Sequence, residues 1–181
     1  CMKHLPGHGR ALADSHFGLP VLRQSLQELE RDFFPFAANR DAPAGMTAHI
    51  VVSAVDEKYP VTVSKKAIEY LLRGHIGFDG LLISDAIEMK ALSGSIAEKG
   101  AAVWAAGCDL VCYCAGKMAD LRALSGVCPP LGDKTAERLQ KVWQIVKSKP
   151  KPRQYDRQRY DDLIGQTEQY CQNADATTAL L

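Results

Sequence analysis

The chain has 181 residues, long enough for one domain with a real hydrophobic core. Its 22 Lys and Arg against 21 Asp and Glu leave a net charge of +1, which gives no field to attract nucleic acid or an anionic membrane surface. No apolar run approaches the roughly 20 residues of a membrane helix, and the opening Cys1-Met2-Lys3-His4 lacks the layout of a secretory leader and reads as a start partway through a fold.

In chain order, residues 1–4 read as the end of a strand. Ser25 with Glu28 fits a capping box, in which hydroxyl and carboxylate satisfy free amides at a helix start. Residues 46–52 (MTAHIVV) form an apolar run that predicts a strand buried on both faces. Ser64 stands where an N-cap should, ahead of Ile68, Leu71 and Leu72. A second strand follows at 80–84 (GLLIS), then a second capping box at Ser95 and Glu98, then a strand at 108–113 (CDLVCY). Asp133 stands at a further cap position ahead of Leu139, Val142, Ile145 and Val146.

This alternation predicts an α/β fold, a parallel sheet with crossover helices. Strand starts near 46, 80 and 108 lie 34 and 28 residues apart, about one βα unit (roughly 30 residues). Pattern alone leaves open a doubly wound sheet or part of a (β/α)8 barrel, which typically takes about 250 residues. From Lys147 the composition changes to KSKPKPRQYDRQRYDD, with Pro150 and Pro152 as breakers. Residues 1–147 are therefore expected to form one domain and 148–181 a charged tail with room for one helix. Asp156, Asp161 and Asp162 interleave the basic residues there, which makes a solvated face and not a nucleic-acid patch.

Six cysteines, Cys1, Cys108, Cys112, Cys114, Cys128 and Cys171, are neither dense nor regularly spaced. Cys112 and Cys114 share a strand face but do not easily bridge. Metal sites want two to four intervening residues and a second pair of ligands. Reduced core thiols in a cytoplasmic protein, with no bound metal, are the expectation.

Two constellations carry chemistry. The first is Lys3-His4-Leu5-Pro6-Gly7-His8-Gly9 followed by Asp14-Ser15-His16: three histidines, a lysine and an aspartate around a Pro-Gly turn. Asp14 and His16 are close enough in a folded loop for the carboxylate to orient the imidazole, a common general acid/base unit. The structural alternative is an Asx turn. The second is Gly77-Phe78-Asp79-Gly80-Leu81-Leu82-Ile83-Ser84-Asp85. A carboxylate directly after a buried strand lies at the strand's C-terminal end, where sites assemble in parallel α/β folds. Its alternative is a cap of the next helix.

KHLPGHG, the following DSH, MTAHIVV, GFDGLLISD and AAGCDLV, in that order, resemble the second half of the family 3 β-N-acetylglucosaminidases of bacterial peptidoglycan recycling. The similarity covers about residues 2–115 and weakens towards Lys147. The resemblance implies about half of a TIM (β/α)8 barrel, with residues 1–4, 46–52, 80–84 and 108–113 in strands five to eight. It implies a retaining exo-glycosidase that hydrolyses terminal non-reducing β-linked N-acetylglucosamine from muropeptide or disaccharide substrates, without a cofactor. Asp85 matches the nucleophile, and His16, held by Asp14, matches the acid/base. Lys3 and His4 match residues that bind the sugar, and cationic Lys3 is expected to help keep Asp85 ionised. Leu5 replaces the usual Phe, and Ala86 stands where many relatives carry a second Asp.

The same resemblance leaves the residues of the first four strands unassigned. An inactive fragment or degenerate half-barrel that needs a missing first half stays open, and so does an unrelated open-sheet domain whose Pro-Gly loop cradles an anion. Four βα units leave open sheet edges that invite self-association. Apolar residues such as Ile50, Leu82 and Val111 are expected to be partly open to water, according to the face each occupies.

Overall fold

The computed structural model describes residues 1–148 together with Gln158 and Asp162. The expected charged tail at 148–181 lies otherwise outside the described residues. Residues Cys1–Lys147 form one compact unit.

Its centre is a four-stranded sheet of β1 (Met2–Leu5), β3 (Ala44–Thr47), β5 (Leu81–Ala86) and β6 (Leu110–Cys112) in that order, every pair parallel. Two further short strands, β2 (Val21–Leu22) and β4 (Val51–Val52), pair parallel in a separate small sheet. Each main strand lies beside the next, and the order runs one way without the reversal that marks a doubly wound sheet. The crossovers carry α1 (Leu26–Ala38), a π-helix (Ala67–His75) and α2 (Ile96–Ala106); α3 (Met118–Val127) and α4 (Asp133–Lys147) follow β6.

The helix starts follow local chemistry. Ser25 and Ser95 each accept from the amide three residues on, while Glu28 and Glu98 reach back to the cap amide at 2.9 and 2.8 Å. Ser64 Oγ accepts from the Ala67 amide at 3.0 Å and donates to Asp56 Oδ2 at 2.6 Å. Beyond that cap the turns widen, so that Ile76 N reaches Leu71 O at 2.9 Å, a five-residue step. Gly107, at φ 108°, ends α2 in the left-handed conformation that glycine adopts without strain. Asp133 is the first residue of α4 and not its cap; the first bond of that helix runs from Ala136 N to Gly132 O. The short α3 has no side-chain cap and was not foreseen in the sequence.

One face of the sheet is closed by helices. Leu5, Leu29, Ile50, Leu71, Leu72, Phe78, Leu82, Ile87 and Val103 are fully buried there. At Gly45 a Cβ would stand 2.6 Å from Leu5 Cδ1 and 2.8 Å from Phe78 Cζ, so the bare backbone is what lets these side chains meet. Alternation then turns Ile83 and Asp85 towards the opposite face, where Met46, Ile83 and Leu110 are only half-buried. The expected partial exposure is met only in part: Ile50 and Leu82 are fully buried, whereas Val111 is partly open although it packs against the same core, because β6 lies at the edge of the sheet.

The run 46–52 is not one strand. The ladder continues through Ala48, whose amide donates to Leu5 O at 2.7 Å, and then breaks, and Val51 N bonds Pro20 O at 2.9 Å in the second sheet. The break falls at His49, a buried polar side chain that takes its partners from other elements instead.

At the N-terminal edge of the sheet, Asp109 is nearly enclosed. It accepts from Leu82 N (2.8 Å), Thr135 Oγ1 (2.7 Å), Arg73 Nη2 (3.1 Å) and Arg138 Nη1 (3.1 Å). Arg73 also donates to the carbonyls of Phe78 and Gly80, and Arg138 to the Asp79 carboxylate. Two aspartates of the sequence motifs, Asp79 and Asp109, thus hold α4 to the sheet. They sit at the end opposite the strand C-termini, where stability and not chemistry is expected.

Candidate active site

Parallel strands put their following loops on one rim. The loop after β1 and the C-terminal end of β5 therefore share a side of the sheet, and the two constellations meet there. The Lys3–His4 and Leu5–Pro6 peptide bonds are both cis. Arg10 then ties the outgoing loop to α1, through Nε to Asp32 Oδ2 at 2.7 Å and a guanidinium N–H to Glu28 O at 3.1 Å.

Beyond Arg10 the loop projects, with Leu12 and Phe17 largely exposed. Asp14 folds its tip: its carbonyl accepts from Phe17 N and Gly18 N, and its Oδ1 accepts from His16 N at 2.9 Å. The same oxygen pairs with His16 Nδ1 at 2.8 Å. A carboxylate oxygen only accepts, so Nδ1 carries a proton and Nε2 faces outward. The Asx turn and the carboxylate–imidazole dyad are one structure. Hydrogen bonds from the His16 amide and then its ring hold the Asp14 carboxyl below its ordinary value.

Asp85 lies one residue before the end of β5. Its side chain is 16% exposed, its Oδ1 accepts from Ala86 N at 2.8 Å, and its Oδ2 stands 3.8 Å from His4 Nε2. His8 packs edge-on against His4, with ring centroids 5.9 Å apart. Burial, and then His4, lower the His8 pKa, against opposing pulls from Asp85 and Asp14. His8 thus feels both carboxylates and links the constellations. The dyad makes no hydrogen bond or ion pair with Asp85 among the described residues. Lys3 differs from expectation: it is exposed and forms no ion pair among the described residues, and His4 is the basic side chain at Asp85.

Three features of the site escaped sequence reasoning. His49 is fully buried, with Nδ1 2.8 Å from Thr62 Oγ1 and Nε2 3.0 Å from Ala86 O. Since a carbonyl only accepts, Nε2–H is the donor, and the ring fixes the carbonyl of Ala86, the residue after Asp85. Burial lowers the His49 pKa, outweighing the raising effects of the Ala86 bond and of Asp85. Glu88 Oε1 accepts from Cys114 N at 2.8 Å, while Glu88 Oε2 is buried without a partner. Finally, the Cys112 and Cys114 sulfurs stand 3.6 Å apart on this rim, closer than their shared strand face suggested. A lone histidine in an apolar run was the one available signal for His49. Among the described residues no group of three or more His, Cys, Asp or Glu side chains is placed to hold a metal.

The arrangement offers a partly shielded carboxylate held by its neighbour's amide, and an exposed imidazole with a free Nε2. One can attack an electrophilic carbon; the other can give and take a proton. A groove of about 560 Å³ lies away from this rim, lined by Glu30, Phe33, Phe34, His75 and Ile76.

Residues 1–147 match the sequence model of the glycosyl hydrolase family 3 N-terminal domain. A β-hexosaminidase of Chromobacterium violaceum is 40% identical over 147 residues, covering 78% of this chain and 41% of the relative. One from Thiobacillus denitrificans is 40% identical over 119 residues, covering 63% and 33%. The solved family 3 β-N-acetylglucosaminidase of Paenibacillus sp. is 36% identical with a TM-score of 0.69, covering 78% of this chain and 30% of that one. NagZ of Neisseria gonorrhoeae is 33% identical with a TM-score of 0.66, covering 82% and 46%, and a second structure of it holds N-trifluoroacetyl-D-glucosamine. The chain spans less than half the length of these relatives.

Proposed function

The chain belongs to glycosyl hydrolase family 3, and on that premise we propose that it supplies strands five to eight of a (β/α)8 β-N-acetylhexosaminidase barrel. The observation that carries the reading is the rim itself: Asp85 at the end of β5, His4 at 3.8 Å from it, and an Asp14–His16 dyad on the loop after β1. The one-way strand order β1-β3-β5-β6 supports the barrel assignment. The substrate class is terminal, β-linked N-acetylglucosamine, supported by the glucosamine derivative held in the N. gonorrhoeae relative. Peptidoglycan fragments in the cytoplasm are the setting we assign, in keeping with the five unpaired thiols among the described residues.

In the proposed reaction an Asp85 oxygen attacks the anomeric carbon as the bond to the leaving oxygen breaks. Protonated His16 delivers its Nε2 proton to that oxygen. The product is a glycosyl ester on Asp85. Water then attacks the same carbon, neutral His16 takes its proton at Nε2, and the ester bond returns its electron pair to Asp85. Two displacements retain the anomeric configuration. Retaining enzymes commonly use a second carboxyl about 5 Å from the first. Here the imidazole takes that place, with Asp14 fixing its tautomer. Lys3 and His4 are assigned to sugar binding.

The face bearing Met46, Ile83 and Asp85 is left half-buried by the described residues. The chain by itself is therefore expected to be inactive, and activity to need the complementary half-barrel. The test is hydrolysis of 4-nitrophenyl N-acetyl-β-glucosaminide by the chain alone and after co-expression with the first half of a relative's barrel. Nitrophenol release is expected only from the combination and is expected to vanish with Asp85→Ala. Near-normal rates from the mutant combination would remove Asp85 from its role.

A further inference from the structure

Cys112 and Cys114 take no part in the chemistry above. β6 ends at Cys112, so Cys114 lies past the ladder and is free of the geometry that holds alternate side chains of a strand apart. Their sulfurs are 3.6 Å apart, with Cys114 exposed and Cys112 half-buried. The other described thiols stand apart: Cys108 is buried, with its pKa pushed up to about 12, while Cys1 and Cys128 are exposed and contact backbone oxygens instead of sulfur.

The pair is also tied to the turn after Asp85. Cys112 N donates to Ser84 Oγ at 2.9 Å, Ile87 N donates to Cys112 O at 3.1 Å, and Cys114 N donates to Glu88 Oε1 at 2.8 Å. These bonds fix both backbones while leaving the two side chains pointed at one another.

We propose that Cys112 and Cys114 are a peroxide-reactive dithiol that closes into a reversible intrachain disulfide on the rim of the site. The exposed Cys114 reacts first. Its thiolate attacks one oxygen of a hydroperoxide such as hydrogen peroxide, the O–O bond breaks, and Cys114 becomes a sulfenic acid while hydroxide leaves. Cys112 then loses its proton to that hydroxide, attacks the Cys114 sulfur and expels a second hydroxide, which takes a proton from solvent. Two thiols lose two electrons, the peroxide gains them, and two waters form. Burial and the neighbouring Cys114 sulfur push the Cys112 thiol up to about 11, which keeps it protonated and out of the first step. The sulfurs must close from 3.6 Å to about 2.05 Å, a movement that side-chain rotation of the unladdered Cys114 can supply.

The test uses the full reduced chain, treated with a small excess of hydrogen peroxide, denatured, alkylated with iodoacetamide and digested with trypsin. Residues 100–117 form one tryptic peptide holding Cys108, Cys112 and Cys114. The expected product is that peptide lighter by two hydrogens, with one alkyl group on Cys108, and restored to three alkyl groups by dithiothreitol. Cys112→Ser and Cys114→Ser should each abolish it, and Cys128→Ser should not. The disulfide should form faster in the folded chain than in the urea-unfolded one. Sulfinic or sulfonic acid on Cys114 beside an alkylated Cys112, or equal rates folded and unfolded, would overturn the proposal. This chemistry does not depend on glycosidase activity, so its failure leaves the proposed function untouched.

Discussion

Asp109→Ala removes the carboxylate that hydrogen-bonds both Arg73 and Arg138. The side chain is 4% exposed, and its arginine partners are 18% and 14% exposed, so water cannot replace what is lost. Burial and then Arg138 already depress the Arg73 pKa against the pull of Asp109, so the mutant leaves Arg73 without its carboxylate and beside Arg138, which keeps only the exposed Asp79. The Leu82 amide and the Thr135 hydroxyl also lose their acceptor. Breaking a buried pair in this way costs about 3–5 kcal/mol. For a unit of this size about 2–4 °C is lost per kcal/mol, so the melting temperature should fall by roughly 6–20 °C. The Lys65–Glu69 pair, 3.7 Å apart and about two-thirds exposed, is the control, since an exposed pair is worth about 0–1 kcal/mol. Both mutants are melted by circular dichroism at one protein concentration, with Asp109→Asn between them because it keeps an acceptor for Leu82. An Asp109→Ala melting temperature within a degree or two of Glu69→Gln would refute the reasoning that this edge is held by a desolvated ion network.

Three other outcomes follow from the same structure. His8 and His49 both have pKa values below the ordinary 6.5, so the folded chain binds fewer protons than the unfolded one; stability should hold above about pH 6.5 and decline as pH falls below it, with a shallower decline in His49→Gln, read from urea midpoints between pH 8 and 5. In a complete barrel, His16→Ala should slow substrates with poor leaving groups far more than activated aryl glycosides, and Asp14→Asn should act in the same order with smaller effect; equal losses would make His16 a binding residue. The isolated chain should self-associate through the free edges of β1 and β6 in size-exclusion chromatography, and a stable active monomer would contradict the half-barrel.

What the sequence made legible was local. Ser25 with Glu28 and Ser95 with Glu98 encode their caps within four residues, and the apolar runs at 80–84 and 108–113 mark β5 and β6 even though one face of these strands is only half-buried. Asp14 and His16 lie two apart, so their pairing needed no tertiary information. The rest depends on partners distant in sequence. His49 leaves the strand pattern because Thr62 and Ala86, 13 and 37 residues on, supply its hydrogen bonds. Asp109 binds Arg73 and Arg138 across 36 and 29 residues. Lys3 and His4 are adjacent in the chain, and only the packed rim decides which of them meets Asp85. The separation of Cys112 and Cys114 turned on where β6 ends, a boundary that composition does not mark.

The most direct measurement is covalent trapping. A complete barrel containing this chain is incubated with a fluorinated N-acetylglucosaminyl fluoride, which slows breakdown of the glycosyl-enzyme, and is then digested and mapped by mass spectrometry. The account predicts one sugar esterified to Asp85 and no label in Asp85→Ala. A label on any other carboxylate, or turnover of the reagent without covalent capture and with an inverted product, would contradict it.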